Sequence, residues 1–172
     1  GNNINHSISS ELKLRHNVII GSKTAEFLKL SLGFAIPEMA EPAKVFGRDL
    51  ITGLPVNVLV PSALVYNCIT TVLEPVLDAI RGLLERTPPE LNNDIFDHGI
   101  YVTGGTSMIP GLDRLIASRT RMKVNMSSHP QESVVKGLDV IMNSYELSNL
   151  AFSVRNLHST KEEAPFGDTC MA

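Results

Sequence analysis

One stretch decides the fold class of this chain, and it reads Gly99-Ile-Tyr-Val-Thr-Gly-Gly-Thr-Ser-Met-Ile-Pro-Gly-Leu-Asp-Arg-Leu-Ile116. Its apolar residues 100–102 are typical of a buried strand. Gly104 and Gly105 are typical of a tight turn, and Pro110 is typical of the start of a helix. Because glycine has no Cβ, the backbone of such a turn can lie directly against a flat ligand. Turns between a strand and a helix also favour glycine for steric reasons alone. The stretch therefore predicts a strand, a turn and a helix, with a ligand-binding loop as the less frequent alternative.

The composition is that of an ordinary globular protein. The chain has 172 residues, of which 43% are apolar and 19% are charged, enough for one sizeable core or for two small subdomains. Its 15 basic and 18 acidic residues give a formal charge of −3. No segment concentrates Lys or Arg as a surface that tracks phosphates would. A nucleic-acid partner is therefore not expected.

The two cysteines, Cys68 and Cys170, lie far apart in the sequence. They predict neither a disulfide framework nor a thiolate metal site, which fits a reducing cytoplasm. No signal peptide and no run of about 18 uncharged apolar residues is found, so we expect no direct insertion into a membrane. Because the chain begins at Gly1 without a methionine, we interpret it as a piece of a longer protein.

Two helices are predicted near the N-terminus, over residues 4–16 and over residues 22–33. Their apolar positions are Ile4, Ile8, Leu12 and Leu14 in the first helix, and Ala25, Leu28 and Leu32 in the second. Glu26 and Lys29 lie three residues apart on the polar side of the second helix, so they project side by side. They would reach a common polar object, such as the hydroxyls of a ribose, or they would pair with each other in water.

A hairpin and a long helix follow. Residues 43–49 and 56–60 alternate as half-buried strands do, and residues 52–55 have the composition of the turn between them. Ser62 then caps a long helix, which Pro75 bends or divides. The predicted core positions of that helix are Val65, Ile69, Val72, Val76, Ile80 and Leu83.

The next part of the chain alternates strand and helix. Polar residues 92–94 predict a turn before the strand at residues 100–102. After the glycine turn we expect a helix over residues 110–120, a strand over residues 122–126 and a helix over residues 131–142. Strand, helix, strand and helix in this order predict the α/β class.

No catalytic or metal-binding constellation is predicted. The sequence lacks a Gly-x-Ser-x-Gly elbow, a Walker A loop and a Gly-x-Gly-x-x-Gly fingerprint. Asp94 and Asp97 are interpreted as solvated loop residues, and Asp113 as a carboxylate favoured by a helix dipole. The histidines, which show no paired spacing with each other or with the cysteines, are His6, His16, His98, His129 and His158. A catalytic or metal-binding role is therefore assigned to no residue.

Five motifs stand in order along the chain: Gly21-Ser-Lys-Thr-Ala-Glu-Phe-Leu-Lys-Leu-Ser-Leu-Gly33, Gly47-Arg-Asp-Leu-Ile-Thr-Gly-Leu-Pro55, Pro88-Pro-Glu-Leu-Asn-Asn-Asp-Ile95, Gly99-Ile-Tyr-Val-Thr-Gly-Gly105 and Leu112-Asp-Arg-Leu115. Together they resemble the C-terminal half of the MreB family, the bacterial actin-like proteins that determine rod shape. The resemblance runs from Gly1 to about Met142. Five ordered motifs with matching separations are far more specific than any one of them.

The resemblance implies the second domain of an actin-type ATPase. That domain is a ribonuclease-H-like α/β fold with an inserted small α+β subdomain of two helices and a β-hairpin. We accordingly expect a small subdomain with its leading helix over residues 1–61 and a large α/β subdomain over residues 62–143. Residues 144–172 are expected to form a C-terminal helix and a flexible tail. The apolar positions of that helix, which would pack on the domain or bind a partner, are Leu147, Leu150, Ala151, Val154 and Leu157.

The resemblance also assigns a nucleotide site. In the family the nucleotide, ATP or ADP with Mg, lies in a cleft between two domains. Residues 26–29 match the segment that bonds the ribose and adenine edges, and residues 104–107 match the loop beneath the nucleoside. The implied contacts are Glu26, Phe27, Leu28, Lys29, Gly104, Gly105, Thr106 and Ser107. The magnesium site and the phosphate loops belong to the family's other half, so this chain alone is expected not to hydrolyse ATP.

Three residues depart from the family pattern. Asn2 and Asn5 stand where acidic residues are usual, and Thr106 stands where a third glycine is usual. These departures keep open a degenerate, non-polymerising interaction module as an alternative. Half of a sugar kinase or of a chaperone ATPase on the same fold is a second alternative, which the hairpin and the motif order disfavour.

The leading interpretation is a subunit of an ATP-regulated filament that organises cell-wall synthesis. By resemblance its partners are further copies of itself and membrane-associated cell-shape and wall-synthesis proteins such as RodZ and MreC. The expected location is the cytoplasm, peripheral to the inner face of the cell membrane.

Overall fold

The computed structural model describes residues 1–147. The chain separates into two compact units, Gly1–Gln131 and Glu132–Ala172. All elements but one belong to the first unit; the described part of the second unit contains a single helix, α6 (Ser133–Asn143). The predicted subdomain boundaries after residues 61 and 143 stay predictions. From residue 148 onward, the predicted C-terminal helix and tail lie outside the described residues.

Helices α1 (Asn2–His16), α2 (Ser22–Leu32) and α3 (Ser62–Arg86) form the main part of the core. Helix α1 packs against both of the others. The apolar faces predicted for α1 and α2 are confirmed, except that Leu14 is exposed. The side chains that these two helices bury are Ile4, Ile8, Leu12, Ala25, Leu28 and Leu32.

The long helix α3 differs from its prediction in two ways. Of the two alternatives predicted for Pro75, a bend or a division, the division is not observed, because the helix is continuous through the proline. Its N-cap is Pro61 rather than Ser62, whose hydroxyl accepts a hydrogen bond from the Ala40 N–H at 3.4 Å. Its core face is rotated, because Val76 and Leu83 are exposed. The buried apolar positions are Leu64, Val65, Cys68, Ile69, Leu73 and Leu77, with Val72 and Ile80 half-buried beside them.

Helix α3 is also, among the described residues, the one helix that is long and apolar enough to cross a membrane by length and composition alone. Core helices of soluble proteins meet the same criterion. Here Glu74 and Asp78 interrupt the apolar sequence, and Arg119 pairs with Glu74. Because Ile69 and its neighbours lie in the core, we interpret α3 as a core helix.

An antiparallel sheet covers this helical layer. Its strands β1 (Val18–Ile19), β2 (Ala43–Asp49) and β3 (Pro55–Val60) lie in that order. The predicted hairpin β2–β3 is confirmed, whereas β1 was expected only to break the first helix. At the hairpin turn Asp49 Oδ1 accepts the N–H groups of Ile51 and Thr52, and these bonds lower the pKa of the Asp49 carboxyl.

A parallel strand pair carries the stretch that decides the fold. Strand β4 (Ile100–Val102) pairs with β5 (Val124–Met126), and α5 (Leu112–Thr120) connects them. A strand, a crossover helix and a parallel strand are the α/β unit that the sequence predicts. Helix α5 begins two residues later than expected, because the turn after β4 continues as a 3₁₀ helix, Gly105–Met108.

The turn predicted at residues 92–94 is wrong, because the segment belongs to helix α4 (Pro89–His98). Pro89 occupies the first helical turn, where its missing N–H costs nothing. The Asn92 side-chain amide donates to the carbonyl oxygens of Leu84 at 3.3 Å and Thr87 at 3.1 Å. An asparagine that looks like a turn residue therefore satisfies the end of the preceding helix.

The burial of α1 gives a test of this core. Ile8 is 0% exposed whereas Leu14, on the same helix, is 78% exposed. We expect Ile8→Ala to lower the free energy of unfolding by about 2–5 kcal/mol, through lost burial and the cavity left behind. Leu14→Ala is the matched control and should change it by less than about 0.5 kcal/mol. Urea unfolding followed by circular dichroism measures both, and equal losses would contradict the described packing.

Candidate functional site

A cleft of about 440 Å³ opens between the start of α1, the polar side of α2 and the loop after β4. This volume is within the usual range for small-molecule sites, roughly 300–1,000 Å³. Its lining residues are Gly1, Asn2, Ile4, Glu26, Lys29, Leu30, Gly105, Thr106, Met108, Ile109, Pro110 and Gln131. All of them belong to the first compact unit.

The cleft brings together four of the eight predicted contact residues: Glu26, Lys29, Gly105 and Thr106. The other four lie elsewhere. Leu28 is fully buried in the core, and Phe27 is 53% exposed outside the cleft. Gly104 and Ser107 shape the loop without lining the cleft. Whether the four lining residues contact a nucleotide stays a prediction.

Helical periodicity explains which residues of α2 face the cleft. Side chains three positions apart share a face, whereas side chains two positions apart point away from each other. Leu28 packs into the core together with Ala25 and Leu32, so Glu26 and Lys29 are left on the cleft side. Among the described residues these two form no ion pair with each other or with any other side chain. The mutual pairing considered from the sequence is therefore not observed.

Hydrogen bonds close the loop that forms the opposite wall. Gly104 has φ +88°, a conformation that residues with a Cβ rarely adopt. Its N–H donates to the Pro130 carbonyl oxygen at 2.9 Å, and its own carbonyl oxygen accepts the Ser107 hydroxyl at 2.7 Å. Ser107 is buried. Gly104 and Ser107 thus fix the shape of the loop and leave Gly105 as its exposed floor.

Gly105 has no side chain that would cover the surface of the loop facing the cleft. A Cβ placed there would meet only the side chain of Gln131, with its Nε2 at 3.8 Å, an ordinary van der Waals contact. A planar group can therefore approach the Gly105 backbone directly. Gly105 does not have a positive φ. The access to its backbone therefore results from the missing side chain and not from an unusual backbone conformation.

The start of α1 lies between the two walls. The point where a Cβ would stand on Gly1 is 3.8 Å from Lys29 Nζ and 3.9 Å from Thr106 Oγ1. A cation and a hydroxyl thus converge on one place. Of the two asparagines that depart from the family pattern, Asn2 lines the cleft and Asn5 does not. Asn5 Oδ1 is buried and has no hydrogen-bond partner among the described residues.

Several lining residues of the cleft were not predicted from the sequence. Met108, Ile109 and Pro110 follow the predicted loop directly, so extending the loop by three residues would have found them. Gln131 is 26 positions beyond Gly105 in the sequence and carries no local signal. It reaches the cleft because the chain before it is hydrogen-bonded to the glycine loop.

The groups in the cleft are suited to binding a polar ligand. Glu26 supplies an acceptor, Lys29 and Thr106 supply donors, and Gly105 supplies an open backbone. Within residues 1–147 no group of three His, Cys, Asp or Glu side chains is placed to hold a metal ion. Cys68 is buried in the core, and burial raises the pKa of its thiol, which makes it a poor nucleophile.

Comparison with known proteins identifies relatives over most of the chain. The sequence model of the MreB/Mbl protein family matches residues 1–149. The cell shape-determining protein Mbl of Bacillus cereus is 31% identical over 147 residues, 85% of this chain and 44% of that protein. The cell shape-determining protein MreB of Escherichia coli is 30% identical over 138 residues, 80% of this chain and 40% of that protein. The chain therefore spans less than half the length of these relatives.

Solved structures share the fold. The crystal structure of MreB5 of Spiroplasma citri bound to ADP is 29% identical, with a TM-score of 0.80 over 87% of this chain and 45% of that one. The same protein bound to AMPPNP is 26% identical, with a TM-score of 0.78 over 91% of this chain and 45% of that one. The MamK double helical filament is 21% identical with a TM-score of 0.62, over 76% of this chain and 40% of that one, and shows likeness of fold alone. The predicted α/β actin-like fold is confirmed.

The two loop glycines give a matched pair of variants. We expect Gly104→Ala to lower the free energy of unfolding by about 1–2 kcal/mol, because alanine disfavours positive φ. Gly105→Ala should change it by less than about 0.5 kcal/mol, because its Cβ has room. Chemical denaturation measures both variants. A larger loss at Gly105 than at Gly104 would contradict the described loop.

Proposed function

The chain belongs to the MreB/Mbl family, and from that premise we propose that it is the nucleoside-holding half of an ATP-binding, filament-forming, cell shape-determining protein. The observation that carries the proposal is the cleft, in which Glu26 and Lys29 on α2 lie with Gly105 of the glycine loop. The chain would supply the domain that binds the base and the ribose. A second domain would complete the cleft.

The lining residues fit a nucleoside. A purine is flat and needs a close backbone, which Gly105 provides because it has no side chain and only the Gln131 side chain lies near the place of a Cβ. Ribose hydroxyls donate and accept hydrogen bonds, so the Glu26 carboxylate and the Lys29 ammonium complement them. Neither side chain is engaged in an ion pair among the described residues, so binding a ribose breaks no existing ion pair.

The similar structures support a nucleotide as the ligand. MreB5 of Spiroplasma citri was solved both with ADP and with AMPPNP. A bound ATP would supply the phosphoanhydride whose cleavage drives the assembly cycle. This chain's own part is to hold the nucleoside, while Mg and the phosphates would be held by the other domain. The described residues contain no acidic cluster suited to a metal ion.

The family supports a proposal about assembly and location. We infer that the complete protein polymerises with copies of itself and works in the cytoplasm beneath the cell membrane. RodZ and MreC are the membrane-associated partners that this role implies. The filament would then guide cell-wall synthesis.

A degenerate, non-polymerising interaction module is the second candidate. Thr106 favours it, because its side chain lines the cleft where the family pattern has glycine, and its hydroxyl lies 3.9 Å from the point where a Cβ would stand on Gly1. A side chain at that place takes room from the nucleoside. Asn2 adds an amide to the same cleft. The two candidates differ in whether the cleft binds nucleotide at all.

Two substitutions test the cleft in the full-length protein. We expect Lys29→Ala to weaken ATP binding at least about tenfold, because a hydrogen bond to a charged group is lost. We expect Gly105→Val to weaken it further, because the new side chain occupies the place of the base. Titration with a fluorescent ATP analogue measures both, with thermal unfolding to check the fold.

Lys23→Ala is the matched control, because Lys23 is an exposed lysine on the same helix that does not line the cleft. It should leave ATP affinity unchanged. If Lys29→Ala and Gly105→Val also leave it unchanged, the assigned nucleoside site is wrong.

Filament formation separates the two candidate functions. We expect the full-length protein with ATP and magnesium to pellet on ultracentrifugation, to form filaments visible by electron microscopy, and to hydrolyse ATP. The chain of residues 1–172 alone should do none of these, because it carries only one wall of the site. Absence of both filaments and ATP turnover in the full-length protein would favour the interaction module instead.

A further inference from the structure

Gln131 lies at the edge of the cleft beside the exposed floor of the glycine loop. Its Nε2 is 3.8 Å from the point where a Cβ would stand on Gly105, and it donates a hydrogen bond to Met108 Sδ at 3.5 Å. Gln131 and Met108 both line the cleft. A flat ligand on Gly105 would therefore have the Gln131 amide at its edge.

The backbone that carries Gln131 is held against the same loop. The Pro130 carbonyl oxygen accepts the Gly104 N–H and the Thr103 hydroxyl, each at 2.9 Å. Earlier in the segment the Ser127 N–H donates to the Val102 carbonyl oxygen at 3.1 Å. The residue before Gln131 is thus hydrogen-bonded twice to the start of the loop, which holds the backbone of Gln131 beside Gly105.

We propose that Gln131 is the specificity-determining residue for the base of the nucleotide, and that it selects adenine over guanine. This inference rests on the nucleotide-binding function proposed above. An amide offers a donor and an acceptor side by side, the pairing that suits the amino group and a neighbouring ring nitrogen of adenine. Guanine presents a carbonyl oxygen in place of that amino group.

Met108 decides which way the amide points. A thioether sulfur accepts hydrogen bonds but donates none, so it holds the Nε2 side of Gln131 and leaves Oε1 for the ligand. Oε1 accepts a hydrogen bond from the adenine amino group. With guanine, Oε1 would face the base carbonyl, and two acceptors face to face repel. Met108 is therefore a positioning residue, and Gln131 is the residue that touches the base.

The test compares the dissociation constants of ATP and GTP for the full-length protein and its variants. We expect Gln131→Leu to reduce the preference for ATP over GTP about tenfold or more, the size of discrimination that one well-formed polar pair gives. Met108→Leu should also reduce the preference, because the amide is then free to turn and serve either base.

Asn93→Leu is the matched control, because Asn93 is an exposed amide on α4 that lies outside the cleft. It should leave the ATP to GTP ratio unchanged. If Gln131→Leu folds and keeps the original ratio while Lys29→Ala weakens both nucleotides, the inference about Gln131 is wrong and the nucleotide site stands. If the unaltered protein binds neither nucleotide, the inference and the proposed function are both overturned.

Discussion

The cleft depends on one short connection between two distant parts of the chain. The Ala35 N–H, just beyond the end of α2, donates to the Pro110 carbonyl oxygen at 2.9 Å, just beyond the glycine loop. Gly111 adopts φ +80° there, and a Cβ on it would stand 2.7 Å from Ile36 Cγ1. A single hydrogen bond contributes only about 1 kcal/mol, and Ala35, Ile109 and Leu112 beside it belong to the buried core. Together with the packing of α2 against α1 and α3, this connection positions the wall that carries Lys29 relative to the loop.

The sequence predicted those elements whose pattern reports directly on burial. The face of α1 with Ile4, Ile8 and Leu12, the hairpin, and the strand before the glycine turn follow from spacing alone. Strand β1 was missed because two residues carry no periodicity, and its pairing with β2 is a long-range contact. Helix α4 was missed because Asn92 has the local preference of a turn residue while its amide serves the preceding helix. Hydrogen bonds between residues in different secondary-structure elements determine the conformation of these segments. The local amino-acid composition does not indicate such bonds.

Four of the eight predicted contact residues line the cleft, and helix geometry explains why the other residues of α2 do not. Carrying a family segment over as four consecutive residues ignores the geometry of a helix, in which Glu26 and Lys29 share a face that Leu28 cannot share. On the loop the cleft lining extends beyond the predicted segment, from Gly105 through Pro110. Gln131 joins the cleft only through the folded chain. Its position depends on Pro130, which accepts hydrogen bonds from two residues of the loop.

The Ser107 hydroxyl, bonded back to the Gly104 carbonyl oxygen within its own loop, has a consequence for how a ligand would be bound. A loop closed on itself is already ordered, so a ligand that lies on it pays little conformational entropy and changes its shape little. The loop would then keep nearly the same conformation with and without a ligand. In this chain the loop is therefore a preformed surface for a ligand, and the side chains of Glu26 and Lys29 on α2 supply polar groups across the cleft from it.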